Sequence, residues 1–205
     1  GAIGLDVSGL DAGSRICATD GFGLAADVEE FRQSARGLVG YSQNIIAGDK
    51  DGGIVYTSKD AVPCRGYLPR DASGAWLPGA DPRRLLDGTT YPGFEIPLRD
   101  GVVDETASGG DPLRCLVPFY STPQSFNPAR GYVLNANNDP GNIAFDDSLE
   151  NDPWYIGGPW NDGFRAVTID RRLAALVNGG DPDVDDMAEL QGHHESRLGE
   201  PFDLH

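Results

Sequence analysis

The chain has 205 residues, with 32 Asp and Glu against 16 Lys and Arg and a formal net charge of −16. A length near the usual domain size suits one domain and is enough to bury about 70% of the unfolded chain's surface. The charge speaks against nucleic acid and anionic membrane surfaces as partners, since both reward clustered Lys and Arg, and no stretch approaches the roughly 18 apolar residues of a membrane span.

The first element with a clear signature is a helix. Asp27 is a good N-cap with Glu30 three residues on, and Val28, Phe31, Ala35 and Leu38 follow helical spacing until Gly40 closes the run. A hairpin is predicted next. Asn44 to Ala47 and Ile54 to Thr57 are β-rich runs, and the Asp51-Gly52 step between them is a strong turn signal.

Residues 63–115 are irregular, punctuated by Pro63, Pro69, Pro78, Pro82, Pro92, Pro97 and Pro112, and the stretch from Gly101 to Pro112 reads as an exposed acidic loop. A long irregular segment inside a domain is usually functional or an insertion. Cys17, Cys64 and Cys115 permit at most one internal disulfide, and none has a zinc-type spacing. Order returns at Leu116 to Phe119. Asn127 to Gly131 forms a turn, and Tyr132-Val133-Leu134 is predicted as a short strand running into Asn135-Ala136-Asn137-Asn138-Asp139-Pro140.

Two helices follow. Ile169, Leu173, Leu176 and Val177 mark one apolar face ended by Asn178-Gly179-Gly180, and Asp183 caps a second helix carrying Val184, Met187 and Leu190. From Asp181 onward eight carboxylates face one Arg, which makes residues 181–205 an acidic, solvated tail.

Most catalytic signatures are absent. The sequence has no GxSxG elbow, no GxxxxGK[ST] phosphate loop and no HExxH. Asp49-x-Asp51-Gly52 and Asp181-x-Asp183-x-Asp185 lack the further ligands of a calcium loop, and the adjacent His193 and His194 would point about 100° apart on a helix. The unusual feature is the Asn-rich run at 135–140. One reading is an Asx-type turn that satisfies its own backbone. The other is a carboxamide N–H₂ aimed into a cleft as an oxyanion donor, worth about 3–4 kcal/mol to a transition state.

The order of several blocks resembles the penicillin acylase (penicillin amidase) family. Asp27-Val28-Glu29-Glu30-Phe31 precedes Asn44-Ile45-Ile46-Ala47-Gly48-Asp49-Lys50-Asp51-Gly52-Gly53-Ile54-Val55-Tyr56 and the Pro63-Cys64-Arg65 step. Leu116-Val117-Pro118-Phe119, Pro123, Asn127-Pro128-Ala129-Arg130-Gly131-Tyr132 and Leu134-Asn135-Ala136-Asn137-Asn138-Asp139-Pro140 come next. Gly163-Phe164-Arg165 with Ile169-Asp170-Arg171 closes the series. The blocks cover residues 27–190. Gly48 and Gly53 stand where the family pattern has Ala and Asn, and residues 66–115 are longer than the corresponding family stretch.

The resemblance implies an α+β chain that forms part of the four-layer αββα sandwich of N-terminal-nucleophile hydrolases, residues 1–205 being a partial β-chain domain. In that family a Ser uses its own α-amine as the base, so no His is needed. Position by position, Asn137 matches the Asn whose side-chain amide serves the oxyanion hole, Arg165 the Arg that orients it, and Asp152 a calcium-binding Asp, which implies a structural calcium. Gly1 offers no nucleophile, so the chain reads as an internal piece of the β-chain, inactive by itself. Its implied partners are a small N-acyl amide substrate (a penicillin, cephalosporin or acyl-homoserine lactone) and the upstream α- and β-chain segments of the same precursor. The implied location is periplasmic or secreted, although residues 1–20 lack signal-peptide features. The alternative is a non-catalytic acidic binding or scaffold domain that retains the framework, and a third reading is a calcium-binding surface module.

Overall fold

The computed structural model describes residues 2–5, 13–39, 43–59, 61–100, 102–107, 109–140 and 154–194. Within them lie helices α1 (Gly13–Leu24), α2 (Val28–Ser34), α3 (Phe164–Gly179) and α4 (Val184–Gly192). The strands are β1 (Gln43–Gly48), β2 (Ile54–Lys59), β3 (Leu98–Arg99), β4 (Val102–Val103) and β5 (Gln124–Phe126). All strand pairs are antiparallel, in sheets ordered β1-β2-β5 and β3-β4, so the chain is α+β. Among the described residues no helix is long and apolar enough to cross a membrane.

Helix α2 starts where the sequence places it. The Asp27 carboxylate accepts the Glu30 N–H at 2.8 Å, and Glu30 turns back to the Ala26 N–H at 2.9 Å, one residue beyond the usual capping-box partner. The helix tightens into a 3₁₀ turn over Ala35–Gly37, and Gly40 lies outside the described residues. Helix α1 has no counterpart among the predicted elements. Its glycines and weak apolar stripe hide it, and contact with α2 holds it. Phe22 stacks on Phe31 with ring centroids 4.4 Å apart, and a Cβ at Gly21 would lie 2.5 Å from Ser34 Oγ.

The hairpin forms as predicted, in register from Gln43 opposite Lys59 to Gly48 opposite Ile54. Its turn is built on one carboxylate. Asp49 Oδ1 accepts the N–H groups of Asp51 at 3.0 Å and Gly53 at 2.8 Å, while Oδ2 accepts the Val28 N–H at 3.2 Å. The Asp-x-Asp-Gly run therefore ties the turn to the start of α2. Gly53 is closely enclosed by these partners: a Cβ there would lie 2.6 Å from Asp49 Oδ2 and 2.8 Å from Val28 Cγ2.

The backbone N–H of Gly53, then that of Val28, hold the Asp49 carboxyl below its ordinary pKa. A depressed carboxylate stabilises the fold above its unfolded pKa of about 3.9, and that contribution disappears as pH falls through the lower folded value. Asp49→Asn is therefore expected to melt at a lower temperature than the parent at pH 7, with the gap closing as the pH drops below about 4. Parallel melting curves across that range would remove Asp49 from this role.

Strand β2 is central and buried. Val55 and Thr57 are both 0% exposed and Tyr56 is 5% exposed. Period-two alternation puts Val55, Thr57, Gln124 and Phe126 on one face, which receives α2: Arg32 lies 5.0 Å from the Phe126 ring centroid and hydrogen-bonds Gln124. Tyr56 and Ser125 look the other way. The predicted strand Tyr132–Leu134 is corrected here, since it joins no ladder among the described residues. The place beside β2 is taken by Gln124–Phe126, whose short polar sequence carries little strand signal. Tyr132 turns to α3 instead, its hydroxyl donating to Asp170 Oδ1 at 2.9 Å.

The long insertion is closed at its neck. Cys64 and Cys115 are disulfide-bonded with Cα atoms 5.4 Å apart, flanked by a Pro63–Leu116 bridge and a Val117 N–H to Val62 C=O bond of 2.8 Å. Inside it, Asp71, Asp81, Asp87, Asp104 and Asp111 each accept the backbone N–H two residues ahead, at 2.8–3.0 Å. These are Asx turns. The exposed acidic loop expected over 101–112 holds for 109–112 and is corrected at its start. Val102–Val103 pairs with Leu98–Arg99, and Val103 packs in a buried cluster with Val39 and Ala61.

Helices α3 and α4 form with their predicted ends, and α3 packs by its predicted face, whereas Val184 and Met187 of α4 are exposed. Ala166 and Leu173 are buried on α3, which ends at Gly180 with φ +147°. Asp183 and Asp186 form a capping box at the start of α4, none of whose residues is buried.

Candidate active site

Residues 135–139 approach the N-terminus of α3, and the three asparagines there do different jobs. Asn135 Oδ1 accepts the Asn137 N–H at 2.9 Å, and Asn138 Oδ1 accepts the Ala136 N–H at 3.1 Å. The first is the Asx turn of the bland reading; the second reaches back to the backbone two residues earlier. Asn137 differs: it sits at φ +61°, in the left-handed region that Asn tolerates better than most side chains, and its carboxamide is not spent on its own backbone.

Arg165, in the first turn of α3, reaches back to this loop. Its Nη2 donates to the Ala136 carbonyl at 2.6 Å and to Asn137 Oδ1 at 2.8 Å. A guanidinium has no acceptor, so only the amide oxygen can face it, and this dictates that Nδ2 points the other way. The Asn137 carbonyl is also taken, by the Asn161 N–H at 2.9 Å. Among the described residues nothing accepts from Asn137 Nδ2. The result is an oriented, exposed N–H₂ donor beside a cation that polarises its amide.

Behind the loop lies a pocket of about 550 Å³ lined by Tyr56, Leu134, Asn135, Arg130 and Asp170. Tyr56 donates to Asn44 Oδ1 at 2.8 Å and accepts from Asn135 Nδ2 at 3.4 Å. Burial in the sheet pushes its hydroxyl up to about 12, so it stays protonated at neutral pH. The Arg65 guanidinium is held by the carbonyls of Pro63 at 3.2 Å and Tyr155 at 3.3 Å, over the Tyr155 ring, and burial pulls its pKa down. It anchors the insertion's neck to the segment leading toward α3.

Asn137 and Arg165, singled out in the sequence, are thus brought together. Asp152 lies outside the described residues. Among the described residues no group of three or more His, Cys, Asp or Glu converges in a way able to hold a metal ion. His193 contacts Arg172 rather than His194. Sequence reasoning missed Asn44, Tyr56 and Asn161. Tyr56 and Asn44 are diagonal neighbours on one face of the hairpin, and that cross-strand spacing is the signal that pairs them.

Fold and site together define an α+β chain that presents a charge-held amide donor on a loop whose Asn135 and Asn138 line a helix–sheet pocket. A family model described as penicillin amidase matches residues 5–202. The solved thermostable penicillin G acylase from Alcaligenes faecalis matches with a TM-score of 0.51 and 22% identity, over 88% of this chain and 26% of that one. No curated protein sequence matches the chain. The chain belongs to the penicillin amidase family, and it spans about a quarter of the length of the acylase it resembles.

Proposed function

We propose that these residues form part of an amide hydrolase in which Asn137 Nδ2 donates to the oxyanion of the tetrahedral intermediate. The observation that carries this reading is the contact between Arg165 and Asn137 Oδ1, which aims the opposite end of the amide outward. In the proposed reaction the nucleophile is a Ser supplied by a segment outside these 205 residues, its α-amine taking the hydroxyl proton as the oxygen adds to the amide carbonyl. Charge then builds on the carbonyl oxygen, and a preoriented donor needs no reorganisation to meet it. Collapse expels the amine and leaves an acyl-enzyme that water hydrolyses. Arg165 acts through Asn137, as a positioning residue.

The substrate class is a small N-acyl amide of the penicillin, cephalosporin or acyl-homoserine lactone type. The partners are the remaining α- and β-chain segments of the same precursor, which complete a four-layer αββα sandwich over the sheet described above. Calcium at Asp152 belongs to this reading only as a structural ion. A periplasmic or secreted location is supported by the Cys64–Cys115 disulfide, because such bonds persist in oxidising compartments.

The test compares the complete gene product with the isolated 205-residue chain on a phenylacetyl-amide chromogenic substrate. Release of chromophore is expected from the complete product alone. Turnover by the isolated chain that depends on Asn137 would place the nucleophile within these residues and overturn the proposal. A complete product inert toward a panel of N-acyl amides would leave the scaffold reading in its place.

A further inference from the structure

We propose that Tyr56 and Asn135 are positioning residues that set the backbone of the Asn137 donor from the sheet side, a role that rests on the oxyanion reading above. Asn137 is gripped at three points, one of them its carbonyl, which accepts the Asn161 N–H at 2.9 Å. Arg165 fixes its side-chain oxygen from α3, and Asn135 fixes its N–H at 2.9 Å. Asn135 can do so only if its own carboxamide is oriented, and the far end of that carboxamide donates to the Tyr56 hydroxyl at 3.4 Å. That hydroxyl is itself directed by Asn44 Oδ1 on β1 at 2.8 Å. A relay therefore runs from the hairpin to the donor: Asn44, Tyr56, Asn135, Asn137.

Each link has a defined polarity. The burial of Tyr56, 5% exposed in the central strand, keeps its hydroxyl protonated, so it gives its proton to Asn44 and its lone pair to Asn135. Asn135 thus presents oxygen toward Asn137 and cannot flip without breaking both of its contacts. Asn137 occupies the left-handed region, where local preference does little to hold a residue with a Cβ, so its placement depends on these partners. An oxyanion donor works over a window of a few tenths of an ångström. Loosening the backbone beneath it should weaken transition-state stabilisation more than substrate binding.

The test is kinetic, on the complete enzyme with phenylacetyl 4-nitroanilide. Tyr56→Phe keeps the ring and removes the hydroxyl. It is expected to lower kcat about three- to tenfold, the range of one lost hydrogen bond, with KM within about twofold of the parent. Asn135→Ala removes the whole clamp and should cost more, and adding Tyr56→Phe to it should cost nothing further, because the hydroxyl then has no route to Asn137. Additive losses would overturn the relay. So would a parental kcat in Tyr56→Phe alongside a crippled Asn137→Ala, which leaves the oxyanion reading intact. A parental kcat in Asn137→Ala instead removes that reading and the relay with it. Should Asn135→Ala fail to fold, Asn44→Ala at an exposed strand position replaces it in the cycle. Its loss must then merge with that of Tyr56→Phe.

Discussion

Asn137→Ala in the complete enzyme is expected to reduce kcat by about 10²–10³-fold, the usual cost of removing one oxyanion donor, with KM little changed. The reasoning turns on what the side chain touches. Its side-chain oxygen is held by Arg165 and its carbonyl by Asn161. Truncation at Cβ therefore deletes the donor and its Arg165 contact, while the backbone partners Asn135 and Asn161 and the Arg165 bond to Ala136 are untouched. A donor that engages only the charged intermediate contributes to kcat and not to ground-state affinity. Asn137→Asp separates orientation from donation: it retains the contact with Arg165 but presents oxygen where the N–H₂ stood, and its rate should fall at least as far. Steady-state kinetics with matched active-site titration decides the matter. An Asn137→Ala enzyme within about threefold of the parent in kcat would be too fast for this role.

The second large effect concerns the neck of the insertion. Replacing Cys64 and Cys115 together by Ser is expected to destabilise the chain by about 4 kcal/mol, the chain-entropy value for a loop of this size, given a sequence separation of 51 residues. The bond sits beside the Pro63–Leu116 bridge and the Arg65 anchor, so loosening should spread first through residues 66–114 and only then to the hairpin. Thermal melting with and without reductant, read together with limited proteolysis of the insertion, measures both parts. Identical midpoints under the two conditions would mean that the Asx turns and the Val39–Ala61–Val103 cluster hold the insertion unaided.

What could be read in the sequence follows from where the physics is local. The β1–β2 hairpin and the caps of α2 and α4 are written in adjacent residues: Asp51-Gly52, Asp27 with Glu30, and Asp183 with Asp186. The apolar face of α3 is written in its periodicity. By contrast, α1 depends on Phe22 meeting Phe31 and on Gly21 letting α2 approach, neither of which a glycine-rich run announces. Strand β5 is too short to carry a pattern and is fixed by its register against β2. The acidic residues of the insertion read as solvated charge, yet five of them cap turns. At the site, composition alone left the Asn-rich run open between a turn and a donor. Both proved present, on different asparagines. Asn137 and Arg165 were legible only through family resemblance, because a contact spanning 28 residues leaves no local trace.

The narrow neck of this long segment has a consequence for how it is held against the rest of the chain. The chain enters this segment at Cys64 and leaves it at Cys115 across a gap of 5.4 Å between Cα atoms. Both ends of the segment are thus held together at one point that follows β2 and precedes β5. Between its ends the segment is pinned a second time, because Val103 packs with Val39 and Ala61 and Glu105 accepts the Phe119 N–H at 3.1 Å.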